Sequence, residues 1–250
     1  MKFEKIIKNL SSCIAGTIVF FIAAGMYLSW KGFVMQPNGK LELMNQAQAS
    51  MLNDQVDSDI SEPIDSLIAL SLPEKPILGS ADAPLTLYEF SSFGCIHCAD
   101  FHLNTLPLLY KSYIQTNRLK VIFVNFPLDK KSMQGAMIAS CLPQENFYDY
   151  INTVFKNQRE WGYSRNSAKI LSQYAAHNGI SQEKAQQCAQ DTKIADNIIS
   201  ARQEAIERLK INGTPSFLLT GANFREIIHG APNYASLKQL LDKKLLKINK

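Results

Sequence analysis

Residues 76–250 read as an α/β domain in the order β-α-β, a long helical block, then β-β-α. Three observations predict this. Two runs rich in β-branched and aromatic residues, 85–90 (LTLYEF) and 119–126 (LKVIFVNF), flank a helical stretch. From 130 to 210 apolar residues recur at helical spacing almost throughout. Two short strand-like runs, 216–220 and 226–229, then follow each other across Gly221 and Asn223 in the manner of a hairpin, and 235–246 closes as a helix.

Taken in order, the domain begins near Pro76-Ile77-Leu78-Gly79, and 85–90 is its first strand. The helix from Cys95 onward is expected to break or kink at Pro107, which has no N–H for a helix interior. The run 119–126, stopped by Pro127, reads as a buried strand. The helical block divides into 133–141, 145–156, 167–177, 181–189 and 193–210, and Trp161 reads as part of its core.

Ahead of the domain the chain changes character twice. Residues 13–30 form an 18-residue stretch without charge, preceded by Lys2, Lys5 and Lys8. That is long enough to span a bilayer, and the lysines orient its N-terminus to the cytoplasm. Lys31-Gly32-Phe33-Val34-Met35 supplies no small-residue cleavage site, so residues 1–30 are expected to be an uncleaved anchor rather than a removed signal. Residues 31–75 are expected to be a helical linker, from helix formers over 41–56 and an apolar run over 66–72. The linker is either a spacer or an oligomerisation segment. The formal charge of +4 comes wholly from residues 1–40, where five lysines face Glu4, and the rest of the chain is balanced. The basic balance therefore marks a membrane-proximal segment and gives no argument for nucleic acid.

The chemistry is concentrated at Cys95-Ile96-His97-Cys98, where a strand hands over to a helix. A helix N-terminus carries partial positive charge and free N–H groups, both of which stabilise a thiolate. Cys95 is the expected nucleophile, with a pKa lowered into the range of about 3.5–7.5. Cys98, one turn further in, is the expected resolving thiol. His97 between them would, when protonated, stabilise the Cys95 thiolate. A structural zinc site needs a second ligand pair, and Cys13, Cys141 and Cys188 are isolated from one another. No cofactor and no resident metal are expected.

These residues resemble the thioredoxin superfamily, and within it the DsbA-like thiol–disulfide oxidoreductases of alphaproteobacterial type. The matching pieces are 79–84 (GSADAP) leading into a strand, 89–98 (EFSSFGCIHC), and Asn212-Gly213-Thr214-Pro215 just before a later strand. The resemblance covers residues 76–248 and implies a thioredoxin fold with a helical insertion at about 130–210. It implies that Glu89 is a buried acid moving protons to and from Cys98, although strand alternation alone leaves an outward-facing residue equally open. It implies that Pro215 is the cis-proline facing the active site, with Thr214 before it tuning the thiols. Ile96 replaces the proline common at its position. Cys141 and Cys188, both in the helical block, are either a second, structural disulfide or two buried free thiols. Export and the even count of exported cysteines point to the disulfide, as in relatives of this type.

The resulting expectation is a protein disulfide oxidoreductase of the bacterial periplasm, tethered to the inner membrane. Its expected partners are unfolded or misoxidised envelope proteins and a membrane redox partner, with possible homo-oligomers through residues 31–75. Oxidase and isomerase both remain open. Thr214 and the length of 31–75 lean toward isomerase. Two alternatives stand outside this class: a copper-binding protein with Cys95, Cys98 and His102 as ligands, and a non-redox binder of unfolded chains. In the leading expectation His102 faces solvent or a groove.

Overall fold

The computed structural model describes residues 33–35, 41–43 and 76–248. The chain divides into two compact units, Met1–Asp54 and Gln55–Lys250. In the first, β1 (Phe33–Met35) pairs antiparallel with β2 (Leu41–Leu43), with Phe33 opposite Leu43. Leu41–Leu43 is therefore strand where the sequence predicts helix. The intervening Pro37-Asn38-Gly39 is a turn-favouring sequence, a local signal for such a hairpin. The membrane segment expected at 1–30 and the rest of the linker lie outside the described residues. Among the described residues no helix is long and apolar enough to cross a membrane.

The second unit is built on a five-stranded mixed sheet. Its strands are β3 (Ile77–Leu78), β4 (Leu85–Ser91), β5 (Leu119–Asn125), β6 (Ser216–Gly221) and β7 (Phe224–His229), in the order β3-β5-β4-β6-β7. The central strand β4 runs parallel to β5, with Ser91 opposite Asn125, and antiparallel to β6, with Glu89 opposite Phe217. Being central, β4 is buried along almost its whole length, which is why it reads as a nearly continuous apolar run rather than an alternating one.

The helix after β4 starts as α1 (Ile96–Asp100) and continues through α2 (Leu106–Leu109). Wide π turns, Phe101–Thr105 and Tyr110–Ile114, lie on either side of α2. The α pattern is thus interrupted around Pro107, which sits in the first turn of α2, while the chain stays helical throughout. The missing N–H is absorbed by widened turns, which leave one carbonyl per turn free of the usual partner. After β5 come α3 (Lys130–Ala139), α4 (Phe147–Lys156), α5 (Gln158–Tyr163), α6 (Ser167–Ala176), α7 (Gln182–Cys188) and α8 (Thr192–Leu209). Asp129 and Ser132 form a capping box that starts α3, and Asp191 caps α8. The short α5 is not foreseen in the sequence. α9 (Tyr234–Ile248) closes the chain.

The two faces of the sheet carry different loads. Phe90, Val124 and Leu218 pack on one face with Ala205 and Leu209 of α8. Phe93, Phe123 and Cys98 belong to the other, larger core, made with α3, α4 and α6. Because side chains alternate along a strand, Glu89 and Ser91 fall on the opposite side of β4 from Phe90, the side of Cys98 and the inserted helices.

Candidate active site

The turn between β4 and α1 is fixed from below before any chemistry is considered. Phe93 is buried and sits 5.4 Å, centroid to centroid, from both Phe123 and Phe155. Gly94 follows at a close approach: a Cβ there would lie 2.6 Å from the Asp129 carboxylate, so a larger residue would have to displace the side chain that caps α3. Cys95 is then the N-cap of α1 in an extended conformation (φ −83°, ψ 122°), and its sulfur accepts from the Cys98 N–H at 3.4 Å.

Cys95 and Cys98 are both free thiols, the first partly exposed and the second fully enclosed. Their environments push them apart. The Cys98 thiol, donating to the Cys95 sulfur, is the largest influence in bringing the Cys95 pKa down to about 5. The Thr214 hydroxyl and the backbone N–H groups of Cys98 and His97 act in the same direction, against the opposing effect of partial burial. Burial drives Cys98 far above the ordinary thiol range, its hydrogen bond and proximity to Cys95 add to this, and the Ser91 hydroxyl pulls the other way.

Across from Cys95, the Thr214–Pro215 peptide bond is cis. The Thr214 carbonyl oxygen lies 3.3 Å from the Cys95 sulfur and accepts from the thiol. A carbonyl cannot lower a thiol pKa. The group on Thr214 that can hold the thiolate is its hydroxyl, which has no other hydrogen-bond partner. The loop is pinned by Ser216 Oγ donating to the Gly213 carbonyl (2.8 Å) and by the Gly230 N–H donating to the Pro215 carbonyl (3.0 Å). The His97 ring is exposed, and it is the backbone N–H of that residue that reaches the Cys95 sulfur.

Beneath the thiols lies a buried polar pair. Glu89 and His102 are 0% and 1% exposed, with Nδ1 3.7 Å from Oε2, and none of their four polar side-chain atoms has a hydrogen-bond partner. The expectation of a solvent-facing or groove-lining His102 is corrected here. Its ring is enclosed by Phe155 (5.1 Å), Phe123 (6.4 Å) and Tyr148 (6.5 Å, stacked). Spacing is the signal that could have found it, since four residues after a buried Cys98 is the same face of the helix. His102 thus faces Glu89, and among the described residues no three His, Cys, Asp or Glu side chains gather as a metal site.

Cys141 and Cys188 are joined (S–S 2.00 Å, Cα–Cα 6.4 Å), tying the turn after α3 to the end of α7. One residue that sequence reasoning missed is Gln158 at the start of α5. Its side-chain N–H₂ donates to the carbonyls of Phe93 (2.6 Å) and Cys95 (3.0 Å). No pattern distinguishes this glutamine from the others in the block.

Comparison with known proteins places the architecture. A family model described as thioredoxin matches residues 71–243. The crystal structure of alpha-DsbA1 from Wolbachia pipientis aligns with a TM-score of 0.64 and 30% identity, covering 70% of this chain and 93% of that one. A Rickettsia typhi relative named for protein-disulfide oxidoreductase activity is 31% identical over 146 residues, 58% of this chain. The match covers 54% of that relative, so the chain spans about half its length. Disulfide bond formation protein D of Bacillus subtilis is 23% identical over 190 residues, 70% of this chain and 79% of its own length. The chain belongs to the thioredoxin family, and within it to the DsbA-like thiol–disulfide oxidoreductases of alphaproteobacterial type.

Proposed function

We propose that this chain is an exported protein thiol–disulfide oxidoreductase that forms or rearranges disulfides in cell-envelope proteins through Cys95 and Cys98. The observation that carries the proposal is the asymmetry of the pair. Cys95 is partly exposed with its pKa held at about 5, while Cys98, three residues on, is enclosed with its pKa pushed far up. A stabilised, accessible thiolate is what enters and leaves a mixed disulfide readily.

In the oxidising direction a substrate thiolate attacks Sγ of Cys95, forming a mixed disulfide and breaking the Cys95–Cys98 bond. Cys98 takes up a proton as it leaves, because burial disfavours its thiolate. A second substrate thiolate attacks the substrate's own sulfur in the mixed disulfide, and Cys95 departs as the thiolate. Two electrons pass from the substrate to the pair. In the reducing direction Cys95 attacks first and Cys98 resolves, which serves rearrangement. The cis Thr214–Pro215 segment, with its carbonyl facing Cys95, is the edge along which a bound peptide would lie. A protonated His97 ring adds positive charge beside the thiolate.

Glu89 is assigned the proton of Cys98, with His102 as its companion. Glu89 and Ser91 are two residues apart on β4, and Cys98 and His102 four apart on the facing helix. Both steps span about 6–7 Å. The Ser91 hydroxyl against Cys98 and the Glu89–His102 contact are therefore successive rungs of one polar ladder.

The cellular setting rests on the sequence. The uncharged stretch 13–30 behind three lysines supports a periplasmic domain held at the inner membrane, with the N-terminus in the cytoplasm. Partners on this reading are unfolded or misoxidised envelope proteins and a membrane redox partner. Self-association through residues 31–75 would favour the isomerase. The test compares oxidation of a reduced peptide with refolding of a scrambled-disulfide protein, using the full chain with and without residues 31–75. Both activities should fall to background in Cys95→Ser. Rescue of scrambled substrate that disappears without 31–75 identifies an isomerase, and peptide oxidation that persists without it identifies an oxidase. Activity retained in Cys95→Ser overturns the redox reading.

A further inference from the structure

We infer that Gln158, from the helical insertion, is a positioning residue for the Cys95 thiolate. This rests on Cys95 being the reactive thiol. The backbone N–H groups of His97 and Cys98 can reach the Cys95 sulfur only while Cys95 keeps its extended N-cap geometry. Gln158 holds that geometry through the two carbonyls of the turn, Phe93 at 2.6 Å and Cys95 at 3.0 Å. The orientation of the amide is fixed by its partners. Both are acceptors, so the two hydrogens of the nitrogen must face them, one each. The Cys95 carbonyl also accepts from the Ala99 N–H at 3.1 Å, so both of its lone pairs are engaged.

The donor comes from a rigid corner. Asn157 joins α4 to α5, and both its backbone N–H (3.1 Å) and its side-chain amide (2.8 Å) donate to the Thr153 carbonyl. One turn on, the Trp161 indole donates to Val154 (2.9 Å), and Ser167 Oγ donates to the Trp161 carbonyl (2.7 Å). Gln158 is thus presented from a fixed support, 63 residues along the chain from Cys95. The insertion thereby clamps the redox turn from outside the sheet. The titratable neighbours of Cys95 are Cys98 and His97 on its own helix and Asp129 against Gly94. An uncharged substitution of Gln158 alters none of these groups, so a shift in Cys95 titration in that variant reports on the clamp.

The test is the pH profile of Cys95 alkylation in the reduced full chain. Gln158→Met keeps the side-chain length and packing but removes both donors. Its midpoint should rise by about one pH unit, leaving about tenfold less thiolate well below the midpoint. Gln158→Glu should raise it further, because a carboxylate cannot donate and brings negative charge toward the turn. Gln158→Lys returns a donor of similar reach together with a positive charge, and both should bring the midpoint back down, so the uncharged Gln158→Met carries the decision. A midpoint unchanged in the uncharged Gln158→Met, with only a lower melting temperature, would reduce Gln158 to a structural tie and overturn the inference whatever Gln158→Glu does. Alkylation requires no disulfide exchange, so the profile decides the clamp even if peptide oxidation fails.

Discussion

Cys95 and Cys98 lie three residues apart at the start of a helix and are both free, whereas Cys141 and Cys188 lie 47 residues apart and are joined. The two pairs also differ in their positions relative to helix ends. Cys95 caps the N-terminus of α1, where unpaired N–H groups and the helix dipole hold a thiolate. Cys188 is the last residue of α7, and Cys141 follows the end of α3 with its N–H donating to the Ile138 carbonyl. Both sit among carbonyl ends, where a thiolate is disfavoured. One pair is built so that its reduced form is comfortable, the other so that it is not. On the proposed function, a pair of cysteines serves as reagent or as brace according to the end of the helix on which it is mounted.

The largest expected effect separates the two roles. The double variant Cys141→Ala/Cys188→Ala opens a 47-residue loop and should lower the stability of the domain by about 4 kcal/mol on the chain-entropy account. The urea midpoint would report this. Peptide oxidation by the folded double variant should stay within about twofold of the parent, since α1 and the cis-proline loop are untouched. A collapse of turnover in protein that is still folded would break the division between reagent and brace.

A second expectation concerns how each redox form of the Cys95–Cys98 pair responds to pH. Only the reduced form titrates. Its Cys95 pKa is about 5 in the folded state and the ordinary thiol value when unfolded. A depressed folded value contributes stability that is fully present above the unfolded pKa and lost as pH falls through the folded one. Cys98, pushed upward, stays neutral in both states across this window. The stability of the reduced form relative to the oxidised form should therefore grow steadily between about pH 5 and pH 8. Paired denaturation curves of the two forms would measure it. A difference that is flat with pH would sink the claim that the reduced pair is stabilised by its thiolate.

The parts of this arrangement that were legible in the sequence are those whose signal is local. The strand runs, the cysteine spacing before a helix, and Thr214-Pro215 ahead of a strand all announce themselves within a few residues. What was not legible depends on three-dimensional neighbours. His102 looks like an exposed polar residue until its helix is laid against β4, and only then does it meet Glu89. Alternation could not orient Glu89, because a central strand is buried on both faces and its apolar pattern loses the period of two. Gln158 is invisible because its partners are backbone carbonyls more than 60 residues away, which leave no trace in side-chain patterning. Pro107 was legible as an interruption, but the form was not: the chain stays helical and changes to wider π turns on either side of it.

The smallest effect should come from Thr214, and it sharpens the account of Cys95 because one residue carries two opposed groups. The carbonyl of Thr214 accepts from the thiol and so favours the protonated sulfur. Its hydroxyl, otherwise without a partner, favours the thiolate. Thr214→Val keeps the shape, the carbonyl and the residue before the proline, and removes only the hydroxyl. The Cys95 alkylation midpoint should rise by roughly half a pH unit, because one donor of several is lost and the site is partly open to solvent. The oxidised form of the variant should also become a weaker oxidant, since destabilising the thiolate destabilises the reduced product. If the midpoint instead fell, the hydroxyl would be acting as an acceptor from the thiol, and the low pKa of Cys95 would have to be credited to Cys98 and the N-terminus of α1 alone.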